Sequence, residues 1–406
     1  MSDGPLIVIG AGQAAAQLAA SLVQYGFKGP LSLIGDEPYL PYQRPPLSKK
    51  FLAGEIELEQ LFLKPAAFYE KAGIELILGS KVIGIDRKAS AVVLEDGRNL
   101  RYATLVLATG SRAREVSLPG IGLTGVHVLR RISDVETIRP QLLPQRRLTI
   151  VGGGYIGLEL AAVATKLGVK VSVLEQAPRV MGRGVGPLVS AFYERLHREE
   201  GVSIATGTRV EGLQGSDRLE HVVYDGGRLE ADLVIIGVGA VPNIELASEA
   251  GLAIDDGIAV DENCRTSDPA IFAIGDCASH LRSTSERRLR LESVHAALEQ
   301  ARIAAAAICR QKVPPLQTPW FWSDQYDVKL QMAGLSAGHD EVVVRGHPNE
   351  GRSFAVFYLR QKRLLAVDAV NRAAEFMVSR QLIGEQAQVD AGRLHDETAN
   401  LKEVRL

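Results

Sequence analysis

Two glycine-rich turns, 142 residues apart, constrain this chain more than any other feature of its sequence. The first is Gly10-Ala-Gly12-Gln-Ala-Ala15 and the second is Gly152-Gly-Gly154-Tyr-Ile-Gly157. Each follows a short apolar segment and precedes a stretch rich in Ala and Leu, which predicts a strand, a tight turn and a helix. Glycines in such a turn permit the bend and bring the backbone close to a pyrophosphate, which then lies at the helix N-terminus. The sequence therefore predicts two bound dinucleotides on one polypeptide.

An acidic residue follows each turn at the spacing that this interpretation requires. Asp36 lies 21 residues after Ala15, and Glu175 lies 18 residues after Gly157. Each ends a second predicted strand, where a carboxylate can accept hydrogen bonds from a ribose hydroxyl. The ordinary alternative is a solvated acid at the start of a loop, but the spacing favours the ribose role in both halves.

Composition and charge exclude several classes of function. Hydrophobic residues make up 46% of the chain and charged residues 23%, which is ordinary for a globular protein. The formal net charge of −2 argues against a general nucleic-acid-binding protein. Apolar runs fall short of the roughly 18 residues of a membrane span, and we expect no signal peptide. The three cysteines are scattered, so a disulfide framework is not expected. These features predict a cytoplasmic protein without a membrane partner.

The residues after about 315 read as a separate unit. A proline-containing linker precedes them, and three apolar segments at 341–345, 353–358 and 364–370 are typical of strands. The chain is therefore expected to be an α/β protein with two Rossmann-like domains and a C-terminal α+β domain.

Five further segments occur together with the glycine turns. Three resemble strand ends of the flavoprotein reductases that contain two dinucleotide-binding folds: Ala108-Thr-Gly110, Gly237-Val-Gly-Ala-Val-Pro242 and Ala273-Ile-Gly-Asp276. Two more selective segments are Pro41-Tyr-Gln-Arg-Pro-Pro-Leu-Ser-Lys49 and Pro319-Trp-Phe-Trp-Ser-Asp-Gln325. Within that group they resemble the NADH-dependent ferredoxin reductases that serve bacterial oxygenases, and the resemblance covers essentially the whole chain.

The resemblance implies the cofactors and the domain boundaries. FAD is expected in a discontinuous domain formed by residues 1–110 and 237–314, and NADH in residues 111–236, followed by the α+β domain at 315–406. The residues expected to bind FAD are Gly10, Gly12, Ala14, Ala15, Asp36, Arg44, Lys49, Val82, Ala108, Thr109, Gly110, Arg130, Gly275, Asp276, Val294 and Trp322. Those expected to bind NADH are Gly152, Gly154, Tyr155, Ile156, Gly157, Glu159, Glu175, Arg183 and Gly239.

Two residues are expected to take part in the chemistry itself. Reduction of a flavin places negative charge on the ring, and the ammonium of Lys49 would stabilise it. By the same resemblance Glu159 lies near the nicotinamide and can pair with Lys49. Without the family segment, Lys49 would be interpreted as a solvent-exposed charge. The ordinary alternative for Asp276 is a residue that caps the next turn.

Cysteine spacing limits where electrons can go. Cys264, Cys277 and Cys309 form no Cys-x-x-Cys or Cys-x4-Cys pair, and no Cys/His cluster suggests a metal or an iron–sulfur centre. Electrons should therefore leave the flavin directly, and a 2Fe-2S ferredoxin of a haem-thiolate monooxygenase or a Rieske dioxygenase is the expected acceptor. The alternatives are rubredoxin or another acceptor, or a redox-sensing interaction protein similar to apoptosis-inducing factor.

A basic segment is the candidate docking surface for an acidic ferredoxin. Residues 279–312 contain seven Lys or Arg and three Glu. Arg302 and Arg310 are eight positions apart in a predicted helix and can share a face, while Trp322 and Lys329 follow in a segment that resembles the docking region of the family. The alternatives are a solvated helix face for the arginines and core or flavin packing for Trp322.

Overall fold

A computed structural model describes residues 4–282 and 287–406. The strands of these residues, in chain order, are β1 Leu6–Ile9, β2 Leu31–Gly35, β3 Ile74–Leu78, β4 Val82–Asp86, β5 Ala91–Leu94, β6 Asn99–Arg101, β7 Thr104–Leu107, β8 Ser111–Ala113, β9 Val126–His127, β10 Arg147–Val151, β11 Lys170–Glu175, β12 Ser203–Thr206, β13 Val210–Gln214, β14 His221–Tyr224, β15 Gly227–Glu230, β16 Leu233–Ile236, β17 Ala240–Pro242, β18 Ile258–Val260, β19 Ile271–Ala273, β20 Ala278–Arg282, β21 Arg287–Leu289, β22 Trp320–Gln325, β23 Val328–Gly334, β24 Glu341–Gly346, β25 Phe354–Arg360 and β26 Arg363–Val370.

Helices connect most of these strands. The α-helices are α1 Gln13–Gln24, α2 Ala66–Lys71, α3 Ile132–Ile138, α4 Tyr155–Lys166, α5 Pro187–Glu199, α6 Glu245–Glu249, α7 Val294–Ile308, α8 Ala373–Gly384 and α9 Ala391–His395. Short 3-10 helices occur at Pro45–Ser48, Leu58–Leu61, Arg139–Gln141 and Leu401–Glu403. Among the described residues, none of these helices combines the length and the apolar character needed to cross a membrane.

The chain divides into two compact units. The first contains residues 1–44, 58–112 and 240–317, and the second contains residues 45–57, 113–239 and 318–406. Residues 45–57 pack within the second unit, where the guanidinium of Arg139 lies 4.6 Å from the centre of the Phe51 ring and donates a 2.7 Å hydrogen bond to the Phe51 carbonyl. The three-domain boundaries drawn from the sequence stay a prediction.

A five-stranded parallel sheet forms the centre of the first unit, in the order β3-β2-β1-β7-β19. Its central strand β1 pairs with β2 and β7, and all four of its residues are buried. Such unbroken apolar strands are expected where helices cover both faces of a parallel sheet. The strands β4, β5 and β6, which lie between β3 and β7 in the sequence, form a separate small antiparallel sheet.

Alanine-rich helices pack closely in this unit. Helices α1 and α7 contribute Ala15, Ala19, Ala297, Ala301 and Ala304 to one buried cluster, each of them at most 5% exposed. Alanine favours the helix and its short side chain lets two helix backbones approach each other. The N-terminus of α7 is fixed by Ser293, whose hydroxyl accepts a 3.1 Å hydrogen bond from the backbone N–H of Ala296.

The second unit repeats this arrangement. Its parallel sheet has the order β12-β11-β10-β16-β9, and the antiparallel strands β13, β14 and β15 lie between β12 and β16 in the sequence. The C-terminal residues of the same unit form an antiparallel sheet with the order β22-β23-β26-β25-β24, against which α8 buries Phe376 and Leu382. The fold class predicted from the sequence is confirmed.

Asp368 is a buried carboxyl group within the second unit. It lies in β26, is 6% exposed, and accepts a 2.7 Å hydrogen bond from the Tyr358 hydroxyl. Burial raises the pKa of Asp368 from 3.8 to about 6, although the hydrogen bonds from Tyr358 and from the backbone of Gly186 favour the ionised form. The folded protein therefore keeps a proton on Asp368, between about pH 4 and pH 6, that the unfolded chain has released.

We expect Asp368→Asn to stabilise the second unit at neutral pH. Since the folded-state pKa is raised, the wild-type free energy of unfolding falls as pH rises through this window. The neutral amide avoids that loss, so the variant should match the wild type near pH 4 and exceed it by about 2–3 kcal/mol above pH 6. Urea unfolding followed by tryptophan fluorescence measures this unit, because Trp320 and Trp322 both belong to it. A stability difference that does not vary with pH would contradict this account of Asp368.

Candidate cofactor-binding and redox site

The first glycine turn of the sequence joins β1 to α1 in the first unit. Gly10 has a φ of +114°, and a Cβ there would lie 2.1 Å from the carbonyl oxygen of Ala108, so only glycine fits. Gly12 is the N-cap of α1, and a Cβ at Gly12 would meet no atom within 4 Å. Ala14 and Ala15 are buried on the first turn of α1. The turn therefore leaves open space at a helix N-terminus, as a pyrophosphate requires.

Strands β7 and β19 of the same sheet end at the level of this turn, and the residues that follow each of them are held by hydrogen bonds. After β7, the Thr109 hydroxyl donates a 2.7 Å hydrogen bond to the Asn243 carbonyl, and the Asn243 side chain donates to the Thr109 carbonyl at 2.8 Å. Gly110 follows with a φ of +65°. After β19, the Gly275 N–H donates to the side-chain oxygen of Gln300 at 2.7 Å.

Asp276 is oriented by a neighbouring strand. The hydroxyl of Ser111, at the start of β8, donates a 2.8 Å hydrogen bond to the Asp276 carboxylate. Ser111 and Gln300 were not selected from the sequence, because neither forms part of a recognisable motif. Together they provide a hydrogen bond to each residue of the Gly275–Asp276 turn.

The acidic end of β2 contains two carboxylates with different environments. Asp36, the residue chosen from the sequence, is exposed. Glu37 accepts hydrogen bonds from the Tyr42 hydroxyl at 2.7 Å and from Arg44 at 2.9 Å. Arg44 is thus held by Glu37, which sequence reasoning did not identify.

Val82 and Val294 were also expected at the flavin site. Val82 is the buried first residue of β4, and Val294 is the first residue of α7, directly after the Ser293 cap. Both belong to the first unit, whereas Lys49, Arg130 and Trp322 belong to the second.

The second glycine turn joins β10 to α4 in the second unit. Gly152 has a φ of +108°, and a Cβ there would lie 2.4 Å from the Gly237 carbonyl oxygen. A Cβ at Gly157 would lie 2.4 Å from the Gly152 carbonyl oxygen, so the helix can approach the strand only with glycine at this position. A Cβ at Gly154, the N-cap of α4, would meet no atom within 4 Å, which again leaves space at a helix N-terminus.

Glu175, at the end of β11, is fixed by this turn. Its carboxylate accepts hydrogen bonds from the backbone N–H groups of Gly153 at 2.6 Å and Ala177 at 2.7 Å. A carboxylate can accept about four hydrogen bonds, so capacity for a ribose hydroxyl remains. The exposed Arg183 places its guanidinium beside Gly239, 3.1 Å from where a Cβ would lie.

Tyr155 and Ile156 begin α4. The Tyr155 ring lies 4.8 Å from the Phe321 ring, and its hydroxyl lies 3.3 Å from the Met332 sulfur. Gly184 makes room for this side chain, because a Cβ at Gly184 would be 2.3 Å from the hydroxyl. Burial raises the pKa of Tyr155, so the hydroxyl keeps its proton. Ile156 is 45% exposed.

The Lys49–Glu159 pair lies within the second unit. The Lys49 ammonium is 2.6 Å from Oε2 of Glu159 and donates to the Pro45 carbonyl at 3.3 Å. The same carboxylate accepts hydrogen bonds from the Ser48 hydroxyl at 2.5 Å and from the Ser323 hydroxyl at 2.7 Å. Glu159 is 3% exposed and the Lys49 side chain 17%. Lys49, Ser48 and Ser323 thus supply three donors to one buried carboxylate.

The other two residues expected near the flavin have local structural contacts. The backbone N–H of Arg130 donates to the Asp134 carboxylate at 2.7 Å, just before α3. Trp322 lies in β22 with its ring 5.4 Å from that of Trp320.

Residues 4–301 match the family model described as pyridine nucleotide-disulphide oxidoreductase. This chain belongs to that family. Residues 320–405 of the oxidoreductase match a second model, described as reductase C-terminal. The family resemblance drawn from the sequence is confirmed.

The oxidoreductase is similar to known relatives and solved structures over nearly all of the chain. It is 46% identical to putidaredoxin reductase CamA of Pseudomonas putida, over 98% of this chain and 96% of the relative. It is 41% identical to rhodocoxin reductase of Rhodococcus erythropolis, over 98% of this chain and 93% of the relative. The reductase in the crystal structure of the covalent putidaredoxin reductase–putidaredoxin complex is similar with a TM-score of 0.96 and 45% identity, covering 99% of this chain and 98% of the other.

The oxidoreductase binds FAD and NAD(H), as predicted. Both glycine turns fit such cofactors, because Gly12 and Gly154 each leave open space at a helix N-terminus. The individual contact residues stay a prediction.

The oxidoreductase has no disulfide in the described residues, despite the name of its family. Its cysteines Cys264, Cys277 and Cys309 are free and buried. Burial raises the pKa of all three thiols. Within residues 4–282 and 287–406, no group of His, Cys, Asp and Glu could hold a metal ion.

One expectation about the docking residues is wrong. Helix α7 ends at Ile308, so Arg310 lies beyond the helix and cannot share a helical face with Arg302. Arg310 has a φ of +54°, and the N–H of Gln311 donates back to Ala306, which closes the helix end. Arg302 and Arg310 are both exposed, and residues 283–286 of the same basic segment lie outside the described residues. Lys329, in the second unit, is 3.8 Å from Asp324.

We expect Asp276 and Lys49 to affect different properties of the reductase. Asp276→Ala removes the carboxylate that Ser111 orients, and the protein should purify with little flavin. Lys49→Met removes the positive charge but keeps a side chain of similar length, so the variant should retain flavin. NADH should reduce it at least tenfold more slowly, because the free energy lost is on the order of that of one hydrogen bond to a charged group. Flavin absorbance per protein and rapid-mixing reduction rates measure the two effects.

Lys50→Met is the matched control for Lys49→Met, because Lys50 is the adjacent exposed lysine. It should leave both measurements unchanged. Reduction of Lys49→Met at the wild-type rate would contradict the electrostatic role of Lys49.

Proposed function

We propose that this chain is an NADH-dependent reductase that passes single electrons to a 2Fe-2S ferredoxin of an oxygenase system. The observation that carries the proposal is the state of the cysteines in a family whose name refers to disulphides. All three thiols of the chain are buried and unpaired, so no dithiol can take electrons from a flavin. Electrons must then pass directly to an external acceptor.

FAD, when bound, supplies the chemistry that this role needs, because it accepts a hydride from NADH and can release electrons one at a time. The protein supplies binding and charge. Glu175, held by two backbone N–H groups, would accept the adenosine ribose hydroxyls of NADH. Lys49 would place its ammonium near the flavin ring, and Glu159 and the Pro45 carbonyl hold that ammonium in one position.

A ferredoxin partner is supported by the relatives. One similar solved structure is a covalent complex of putidaredoxin reductase with putidaredoxin, a 2Fe-2S ferredoxin. We propose that the ferredoxin contacts of this chain include Arg302, Arg310, Trp322 and Lys329. The ferredoxin would serve a haem-thiolate monooxygenase or a Rieske dioxygenase, and the cytoplasmic location stays a prediction.

We expect the enzyme to prefer NADH over NADPH. The Glu175 carboxylate would bind ribose hydroxyls and repel the additional phosphate of NADPH. Loss of such a charge-assisted contact costs on the order of 1.5–3 kcal/mol, so Glu175→Ala should lower kcat/KM for NADH by about tenfold or more. Steady-state kinetics with ferricyanide as acceptor measure this for both coenzymes. Equal kcat/KM for NADH and NADPH in the wild type would contradict the assignment of Glu175.

Electron transfer to an added ferredoxin tests the function directly. NADH-dependent reduction of cytochrome c should require a 2Fe-2S ferredoxin and fall as salt concentration rises. Arg302→Glu should raise KM for ferredoxin several-fold and flatten the salt dependence, while turnover with ferricyanide stays near the wild-type value.

Arg101→Glu is the matched control, since Arg101 is an exposed arginine on β6 of the same unit and the charge change is equal. It should leave KM for ferredoxin unchanged. Efficient transfer to rubredoxin but not to ferredoxin would favour the rubredoxin alternative. Slow turnover with every acceptor, combined with tight NADH binding, would favour a redox-sensing interaction protein.

A further inference from the structure

A continuous chain of three buried polar side chains and one half-buried tyrosine extends from Glu159 within the second unit. The Ser323 hydroxyl donates to Glu159 at 2.7 Å, and the Gln325 amide nitrogen donates to the Ser323 oxygen at 3.1 Å. Nε2 of His197 lies 2.8 Å from the amide oxygen of Gln325, and the Tyr326 hydroxyl lies 3.1 Å from Nδ1 of His197. Ser323, Gln325 and His197 are at most 1% exposed, so bulk water does not reach their polar groups. We call Ser323, Gln325, His197 and Tyr326 together the Glu159 chain.

The functional groups of the Glu159 chain determine in which direction its hydrogen bonds are donated. An ionised carboxylate only accepts hydrogen bonds, so Ser323 must donate its proton to Glu159 and accept from the Gln325 amide nitrogen. The Gln325 oxygen also only accepts, so the proton of His197 is on Nε2. Nδ1 then carries a lone pair and accepts from the Tyr326 hydroxyl. The donors of Ser323, Gln325 and His197 therefore all point toward the carboxylate, and the Tyr326 hydroxyl, which also contacts Thr165, lies at the far end.

Burial supports the protonation states that this direction requires. Burial lowers the pKa of His197 to about 4, although the hydrogen bond with Gln325 and the charge of Glu200 act in the opposite sense. Burial likewise raises the pKa of Tyr326, so its hydroxyl keeps its proton. The imidazole is neutral at physiological pH, as an acceptor at Nδ1 must be.

Other titratable groups face the two ends of the Glu159 chain. Lys49 contacts the second carboxylate oxygen of Glu159, and the charge of Glu159 also acts on Tyr155 and Tyr193. Burial raises the pKa of both tyrosines, so they stay neutral. Two further carboxylates, Asp324 and Asp368, act on Tyr193. At the far end, Glu200 acts on His197.

We propose that the Glu159 chain is a positioning element that keeps the Glu159 carboxylate ionised and directed at Lys49. Aligned hydrogen bonds in a dry interior polarise one another, so each donor strengthens the next. As a consequence, the rate of hydride transfer begins to fall with decreasing pH only at a lower pH than it would with the Lys49–Glu159 ion pair alone. This inference rests on the proposed role of the Lys49–Glu159 pair.

The pH profile of flavin reduction by NADH, measured by rapid mixing on the holoenzyme, tests the inference. Ser323→Ala removes the last donor and should move the acid-side midpoint upward by about one pH unit. Ser323→Thr keeps the hydroxyl and should restore the wild-type midpoint. Tyr326→Phe should produce a smaller shift in the same direction, because it acts through two more hydrogen bonds.

Ser190→Ala is the matched control. Ser190 is a buried serine of α5 whose hydroxyl donates to the Val180 carbonyl at 2.6 Å, outside the Glu159 chain. It should leave the midpoint unchanged. An equal shift in Ser190→Ala and Ser323→Ala would overturn the inference, because general loss of packing would then explain both.

Glu159→Gln separates this inference from the proposed function. If the pair acts as proposed, Glu159→Gln abolishes the acid limb of the profile, and adding Ser323→Ala shifts nothing further. An acid limb unchanged in Glu159→Gln would overturn the proposed role of the pair. An acid limb abolished in Glu159→Gln but unmoved in Ser323→Ala would overturn the positioning role alone.

The His197 ring gives a readout that does not depend on activity. In holoenzyme with isotope-labelled histidine, NMR should show His197 protonated on Nε2 only, between about pH 5 and pH 8. Its resonances are identified by their loss in His197→Gln, and Tyr326→Phe should shift the Nδ1 resonance. Protonation on Nδ1, or titration near the ordinary value of about 6.5, would overturn the direction of the Glu159 chain even if Ser323→Ala fails to fold.

Discussion

The buried carboxylate of Glu159 is the interaction on which the second unit depends most. An ionised carboxylate with 3% exposure is costly unless it is fully hydrogen-bonded. Its donors come from segments far apart in the sequence: Ser48 and Lys49 from the proline-rich segment, and Ser323 from β22. Satisfying one charge therefore specifies where three parts of the unit must meet. It explains why residues 45–57 pack in this unit although the chain around them belongs to the first.

The glycine turns were predictable because they rest on steric necessity. A side chain at Gly10 or Gly152 would collide with a carbonyl oxygen on the adjacent strand, and the positive φ at both positions independently favours glycine. Such constraints leave a fixed spacing in the sequence. From that spacing followed the two parallel sheets, their helices and the acids at the ends of β2 and β11. The strands of the C-terminal sheet were predictable from their apolar runs, although their order was not.

Much of the polar site was not predictable from local patterns. Ser48, Ser323 and Gln300 are single polar residues whose partners lie 25 to 164 positions away, and no periodicity marks such a contact. Glu37 was passed over because its neighbour Asp36 had the expected spacing. The end of α7 was misjudged because Arg310, not glycine, adopts the left-handed conformation that closes the helix. In each case tertiary contacts decided what the local sequence left open.

The burial of the three cysteines has a practical consequence. All of them are at most 3% exposed, and burial keeps each thiol protonated and therefore a poor nucleophile. The folded protein thus offers a silent background for thiol-directed chemistry. A single cysteine introduced on an exposed loop would be modified selectively by a maleimide spin label or fluorophore, without first removing the native residues. With one such cysteine in each unit, the distance between the two labels could be followed in solution as coenzyme binds.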